Sequence, residues 1–136
     1  MPQLDDRRIL LLGAESDLGA ATATAVANAG ARLALVSGSR DADAAFAVQR
    51  LARRLNATSQ AIDAANEAAV RVMVRQVSKE MGGIDAAVSC VVDATARELF
   101  ERHARREMKR KGEGVYVDAL ATPDVVAAVV AGASSG

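Results

Sequence analysis

The chain has 136 residues, of which 51% are hydrophobic, and its 17 basic residues balance 17 acidic ones. This length predicts one domain with a buried core, and the balance of charge does not favour broad electrostatic binding, so we expect no nucleic-acid or membrane partner. No apolar run reaches membrane-spanning length, the N-terminus lacks signal-peptide character, and a single cysteine excludes an internal disulfide. We therefore expect a cytoplasmic protein.

Apolar runs alternate with helical patterns along the chain, which is typical of a parallel sheet covered by helices. In chain order, strands are predicted over residues 8–13, 32–36, 58–62, 84–90 (continuing to 92) and 114–117. Helices are predicted over residues 17–29, from an N-cap at Asp41 to residue 55, and over 66–81, 95–111 and 123–131, with Gly82 and Gly83 closing the third. We expect a three-layer, doubly wound α/β domain over residues 1–131, with strand order 3-2-1-4-5, and a loose tail over 132–136.

The segment between the first strand and the first helix is the most informative part of the chain. Residues 12–19 read Leu-Gly-Ala-Glu-Ser-Asp-Leu-Gly. A strand, a glycine-bearing turn and a helix N-terminus offer backbone N–H groups to a phosphate. Gly13 and Gly19 suit a tight turn and close helix packing. Asp17 stands where a third glycine would let a pyrophosphate approach the backbone.

Three further segments follow that loop in register. Residues 29–36 lead into the second strand, residues 62–64 (Ile-Asp-Ala) end the third, and residues 83–88 lead to Ser-Cys-Val-Val at 89–92. In order and spacing, the first 92 residues resemble the short-chain dehydrogenase/reductase family. That family has Thr-Gly-x-x-x-Gly-x-Gly in the loop and Asn-Asn-Ala-Gly after the fourth strand, so Leu12, Asp17 and residues 89–92 depart from its pattern.

Beyond residue 92 the resemblance is interrupted by apparent deletions. Residues 108–117 resemble a helix end and the fifth strand of the family, and residues 121–129 resemble a segment near its C-terminus. The Tyr-x-x-x-Lys helix and the substrate lid that belong between them have no counterpart.

The resemblance implies carbonyl reduction by hydride transfer from a nicotinamide, in which a Tyr donates the proton, a Lys lowers the pKa of that Tyr and a Ser orients the substrate oxygen. The only tyrosine here is Tyr116, which lies in a strand pattern and is followed four positions later by Leu120. None of residues 119–121 is a serine. We therefore assign no catalytic residue and expect no reduction by this mechanism from the isolated chain.

The resemblance also implies a dinucleotide site. Its candidate residues are Gly13, Ser16, Asp17, Leu18, Gly19, Gly38, Ser39, Arg40, Asp63, Ala64, Ser89 and Cys90. The second strand ends without the acid that would hold an adenosine ribose, so Ser39 and Arg40 suit the 2′-phosphate of NADP(H), unless Arg40 is simply solvated. Asp17 either repels a pyrophosphate, at a cost of about 3 kcal/mol at ~5 Å, or caps the first helix in place of a ligand. We expect weak NADP(H) binding or none.

The remaining candidates favour structural roles. His103 and Glu107 have the i, i+4 spacing of metal ligands, but the chain has no second histidine, so we predict a solvated helix face and no metal site. Cys90, in a buried strand, is predicted to be a small core residue. The alternating charges over residues 97–111 predict a solvated or partner-facing helix.

Three functional hypotheses remain open. The first is a degenerate, non-catalytic Rossmann-like protein that forms a homodimer or a complex with another protein through the fourth helix and residues 125–130. The second is an NADP(H)-dependent oxidoreductase completed by another subunit. The third is a non-redox binder of a small molecule in the cleft above strands one and four.

Overall fold

Five parallel strands form one sheet in the computed structural model, which describes residues 3–135 and the side chains of residues 3–132. The strands are β1 (Arg8–Leu12), β2 (Arg32–Ser37), β3 (Thr58–Ala61), β4 (Ala86–Ser89) and β5 (Val115–Asp118). The helices are α1 (Asp17–Asn28), α2 (Ala42–Leu55), α3 (Glu67–Met81), α4 (Ala94–Lys111) and α5 (Val125–Ser135). The sheet order is β3-β2-β1-β4-β5, which confirms the predicted α/β fold and its topology.

The central strand β1 explains why this order forms. Leu10 lies opposite Ala34 of β2 and Ala87 of β4, so β1 is hydrogen-bonded on both sides. Ile9 and Leu11 pack on one face, and Leu10 and Leu12 on the other, all without solvent exposure. A strand that is covered on both faces is apolar at every position, and this continuous apolar run is the feature from which β1 was predicted.

Helices cover both faces of the sheet. The cluster around Ile9 and Leu11 takes side chains from α1, α2 and α5, and the cluster around Leu10 and Leu12 takes them from α3 and α4. Phe100 of α4 is fully buried in the second cluster. Val125 and Val129, which belong to the predicted contact segment 125–130, pack into the first cluster and are buried within the chain itself.

Most helix ends follow the predicted capping signals. The Asp41 carboxylate accepts a hydrogen bond from the Ala44 amide, and Gly82 ends α3 in the left-handed conformation at φ 78°, as predicted. Asp93 caps α4, which was not predicted.

The last helix differs from its prediction at both ends. It begins at Val125 rather than at Pro123, because the Asp124 carboxylate accepts a hydrogen bond from the Ala127 amide. It continues to Ser135, so residues 132–135 are helical rather than a loose tail, and Gly136 lies outside the described residues. A Cβ at Gly132 would lie 2.1 Å from Val115 of β5, so the helix packs closely on the sheet at this position.

The solvated face predicted for His103 and Glu107 is wrong. Both side chains are buried, because this side of α4 packs against α3. His103 Nε2 lies 3.3 Å from a carboxylate oxygen of Glu67, and Glu107 pairs with Arg110 at 3.1 Å. Burial raises the pKa of Glu107, but the hydrogen bonds and the positive charge of Arg110 oppose this effect, and the pKa lies below its ordinary value.

Candidate functional site

The turn after β1 is held tightly against the sheet. The amides of Gly13 and Ala14 both donate to the Val36 carbonyl, at 2.9 and 3.2 Å. Gly13 has φ 95°, and a Cβ there would lie 2.9 Å from the carbonyl carbon of Cys90. The turn therefore requires glycine both for its backbone conformation and for space.

Gly19 is required for space alone. A Cβ built on it would lie 2.0 Å from the Gly13 carbonyl oxygen and 2.8 Å from the Cα of Ala14. The first turn of α1 therefore packs directly on the backbone of the loop. This close approach brings the helix N-terminus to the carboxyl end of the sheet, where open α/β sheets bind ligands.

Ser16, and not Asp17, caps α1. Its hydroxyl oxygen accepts a hydrogen bond from the Gly19 amide at 2.9 Å and donates to the Gly13 carbonyl at 3.0 Å. Asp17 is the first helical residue and is exposed, so its carboxylate lies at the positive end of the helix dipole. Within the described residues, the amides of Asp17 and Leu18 donate no hydrogen bond, so both are free to bind an anion.

Glu15 carries a contact that the sequence analysis missed. Its Oε1 accepts a hydrogen bond from the Gly38 amide at 3.0 Å, although the two residues are 23 positions apart. The carboxylate thus lies at the end of β2, where the sequence has no acid of its own. Two features of the sequence could have indicated this contact. The glycine loop contains an acidic residue, and the second strand is not followed by an acidic residue of its own.

The structure brings together about half of the predicted site residues. A cleft of about 310 Å³ at the carboxyl end of the sheet is lined by Gly13, Glu15, Ser16, Gly38, Asp63, Ala64 and Cys90, with residues from the loop before α4. A neighbouring depression is lined by Gly38, Ser39, Arg40 and Asp63, among others. Asp17, Leu18, Gly19 and Ser89 line neither of these two cavities.

The polar side chains around this cleft differ in their exposure and in their hydrogen-bond and ion-pair partners. Asp63 is exposed and its Oδ1 accepts a hydrogen bond from the Ala65 amide at 3.0 Å, while Arg40 is exposed and forms no ion pair within residues 3–132. Cys90 is buried, as predicted, and burial raises the pKa of its thiol to about 11. A thiol held neutral in this way is a poor nucleophile.

The described part of the chain was compared with the requirements of a metal site and of a membrane-spanning helix. It contains no group of three or more His, Cys, Asp or Glu residues that could hold a metal ion. It also contains no helix that is long and apolar enough to cross a membrane.

The chain matches one family of known proteins over most of its length. A family model described as Enoyl-(Acyl carrier protein) reductase matches residues 13–112, from the glycine loop to the end of α4. No curated protein sequence matches the chain.

Solved structures match the fold over most of the chain. A short-chain type dehydrogenase/reductase from Mycobacterium ulcerans has a TM-score of 0.72 and 24% identity, over 84% of this chain and 50% of its own. One from Mycobacterium marinum has a TM-score of 0.68 and 25% identity, over 84% and 56%. NAD+-bound xylitol dehydrogenase has a TM-score of 0.73 and 19% identity, over 97% and 61%. The chain thus spans between one half and about three fifths of the length of these three proteins.

The close approach at Gly19 generates the first prediction. Gly19→Ala places its methyl group against backbone atoms that cannot move aside, so we expect the free energy of unfolding to fall by about 1–3 kcal/mol. Gly38→Ala is the matched control, because its Cβ would meet only ordinary contacts at 3.4 Å or more. Denaturant unfolding of both variants measures the difference, and equal stabilities would contradict this role of Gly19.

Proposed function

This chain belongs to the short-chain dehydrogenase/reductase family, and we propose that it acts without the catalysis by which such enzymes reduce carbonyls. In this proposal the chain is a Rossmann-like module that associates with a second copy of itself or with another protein and binds a dinucleotide weakly or not at all. The observation that carries the proposal is the position of Tyr116.

Tyr116 lies in β5 and faces α4 rather than the cleft. Its ring packs near Phe100, with ring centroids 6.2 Å apart, and the Arg105 guanidinium lies 5.2 Å from its centroid. Its hydroxyl is buried and has no hydrogen-bond partner among the described residues. Burial raises the pKa of this hydroxyl, which is the opposite of what a proton-donating tyrosine needs. Tyr116 therefore supports a packing role.

We expect the purified chain to show no turnover of carbonyl substrates with NADH or NADPH above the uncatalysed background, because Tyr116, its one tyrosine, does not line the cleft. Tyr116→Phe, which keeps the ring and removes the hydroxyl, should leave this result unchanged. Cofactor absorbance at high protein concentration is the measurement. Turnover abolished by Tyr116→Phe would mean that Tyr116 is catalytic, and turnover that survives it would mean that the chain uses another mechanism.

Dinucleotide binding is a second candidate function, favoured by the free amides of Asp17 and Leu18 beside a cleft. The Asp17 carboxylate opposes binding of either dinucleotide, and the Glu15 carboxylate opposes binding of the phosphorylated form, NADP(H). Asp17 is exposed at the helix N-terminus, where a pyrophosphate would bind, and Glu15 lies at the end of β2, where an adenosine ribose would bind. The Glu15 carboxylate suits ribose hydroxyls better than a 2′-phosphate, which argues against the NADP(H) preference that Ser39 and Arg40 suggested.

Replacing the two carboxylates separately tests their roles. Asp17→Gly should strengthen binding of both NAD(H) and NADP(H) by roughly a hundredfold, since one like-charge pair at ~5 Å costs about 3 kcal/mol. Glu15→Gln keeps the side-chain size and should strengthen NADP(H) binding more than NAD(H) binding. Isothermal titration calorimetry measures both constants.

The outcomes of that titration separate the functional hypotheses. Tight wild-type binding that neither change affects would contradict the repulsion and favour the oxidoreductase hypothesis. Absence of binding in wild type and in both variants would mean that the cleft does not accept a dinucleotide. The remaining hypotheses would then be association with another chain and binding of a different small molecule.

Association is supported by apolar side chains at the carboxyl end of the sheet. Leu18, Val92 and Leu120 follow β1, β4 and β5, and all three are exposed. Parallel strands place these positions along one rim, and β5 beside them is an edge strand. We name this set of three side chains the apolar rim and propose that a second copy of the chain covers it.

We expect sedimentation at micromolar concentration to detect a dimer. Val92→Asp should weaken this dimer by at least about tenfold, because it would bury a charge in place of an apolar side chain. Phe46→Asp on α2 is the control, since Phe46 is also exposed but lies outside the apolar rim. A stable monomer, or a dimer that only Phe46→Asp weakens, would contradict the proposed surface.

A further inference from the structure

The outer surface between α3 and α4 contains a groove that the proposed function does not use. Its volume is about 190 Å³, and none of its lining residues lines the cleft at the carboxyl end of the sheet. Buried His103 and Glu107 form its floor. Its edges carry exposed arginines from both helices, namely Arg71, Arg75, Arg106 and Arg110.

The helical spacing gives these arginines a regular arrangement. Arg71 and Arg75 are four positions apart on α3, and Arg106 and Arg110 are four positions apart on α4. Residues with this spacing share one helix face, so each helix presents a pair of guanidinium groups toward the groove. The packing of α3 against α4 brings the two pairs together.

These charges are poorly compensated. Within residues 3–132, Arg110 pairs with Glu107, whereas Arg71, Arg75 and Arg106 form no ion pair. Glu67, the other nearby acid, already contacts Arg102 and His103 at one end of the groove. Four guanidinium groups and one carboxylate give the lining a formal charge of 4 − 1 = +3, in a chain whose formal net charge is zero.

We propose that this groove binds a phosphate group. Guanidinium groups present paired N–H donors that match the oxygens of phosphate, and arginine is the usual residue for such recognition. The groove is smaller than a typical pocket for a drug-sized ligand, which suits a small anion such as phosphate or diphosphate. The group is either a free anion or the phosphate of a larger metabolite.

Calorimetry with inorganic phosphate, pyrophosphate and glycerol 3-phosphate, at constant ionic strength, tests the proposal on the full chain. Arg75→Gln and Arg106→Gln should each weaken binding by about tenfold, and the double variant by about a hundredfold, as expected for loss of charge-assisted hydrogen bonds. Arg110 is left intact because it pairs with the buried Glu107. Tighter binding of glycerol 3-phosphate than of inorganic phosphate would identify a phosphorylated metabolite as the source.

The matched control is Arg50→Gln on α2, which removes the same charge from an exposed arginine that does not line the groove. It should leave phosphate affinity unchanged. Binding that the arginine variants leave intact would place the anion outside the groove, for example at the N-terminus of α1, and would overturn the proposal. Equal losses in the control and the groove variants would mean non-specific charge attraction, which also overturns it.

Two further results would contradict the proposal. One is the absence of binding of all three anions to the wild-type chain. The other is a change of oligomeric state in the double variant without any phosphate binding, which would assign the arginines to a protein interface. Far-UV circular dichroism and thermal unfolding check that each variant is folded, as expected for substitutions at exposed positions.

Discussion

The contact between Gly19 and the Gly13 carbonyl determines the shape of the candidate site. Because residue 19 has no side chain, α1 can pack on the backbone of the loop that precedes it. This position allows the Ser16 hydroxyl to bond both Gly13 and Gly19, which leaves the amides of Asp17 and Leu18 without partners in the described chain. The same loop directs Glu15 toward the end of β2. A single backbone contact therefore positions the helix dipole, the free donors and the two acids of the cleft.

The cleft combines backbone groups that favour an anion with side chains that disfavour one. The helix N-terminus attracts negative charge through its free amides and its dipole. The Asp17 carboxylate already lies at the positive end of that dipole, and the Glu15 carboxylate accepts a hydrogen bond from the Gly38 amide. Fold and binding chemistry are separate properties, since the one is set by backbone packing and the other by a few side chains. Membership of the family therefore does not by itself assign a cofactor to this chain.

The sequence predicted the sheet well because its signals are local. The apolar run of β1, the regular alternation of strands with helices, and caps such as Asp41 and Gly82 all depend on neighbouring residues. Glu15 was missed because its partner Gly38 is 23 positions away, a contact that exists only once the sheet has formed. His103 and Glu107 were misassigned for a similar reason, since charged and polar types normally indicate solvent, and only the pairing of α3 with α4 buries them.

The zero net charge of the chain conceals a separation of charge between two surfaces. Acidic groups, including Glu15, Asp17 and Asp63, collect at the carboxyl end of the sheet, whereas the groove between α3 and α4 is lined mainly by arginine. Exposed groups farther apart than about 10 Å are largely screened from one another at ordinary ionic strength, so each surface acts on its own surroundings. A phosphate that the acids disfavour in the cleft would meet uncompensated guanidinium groups in the groove. In the proposed arrangement, anion recognition by this chain thus depends on a pair of helices rather than on the glycine loop.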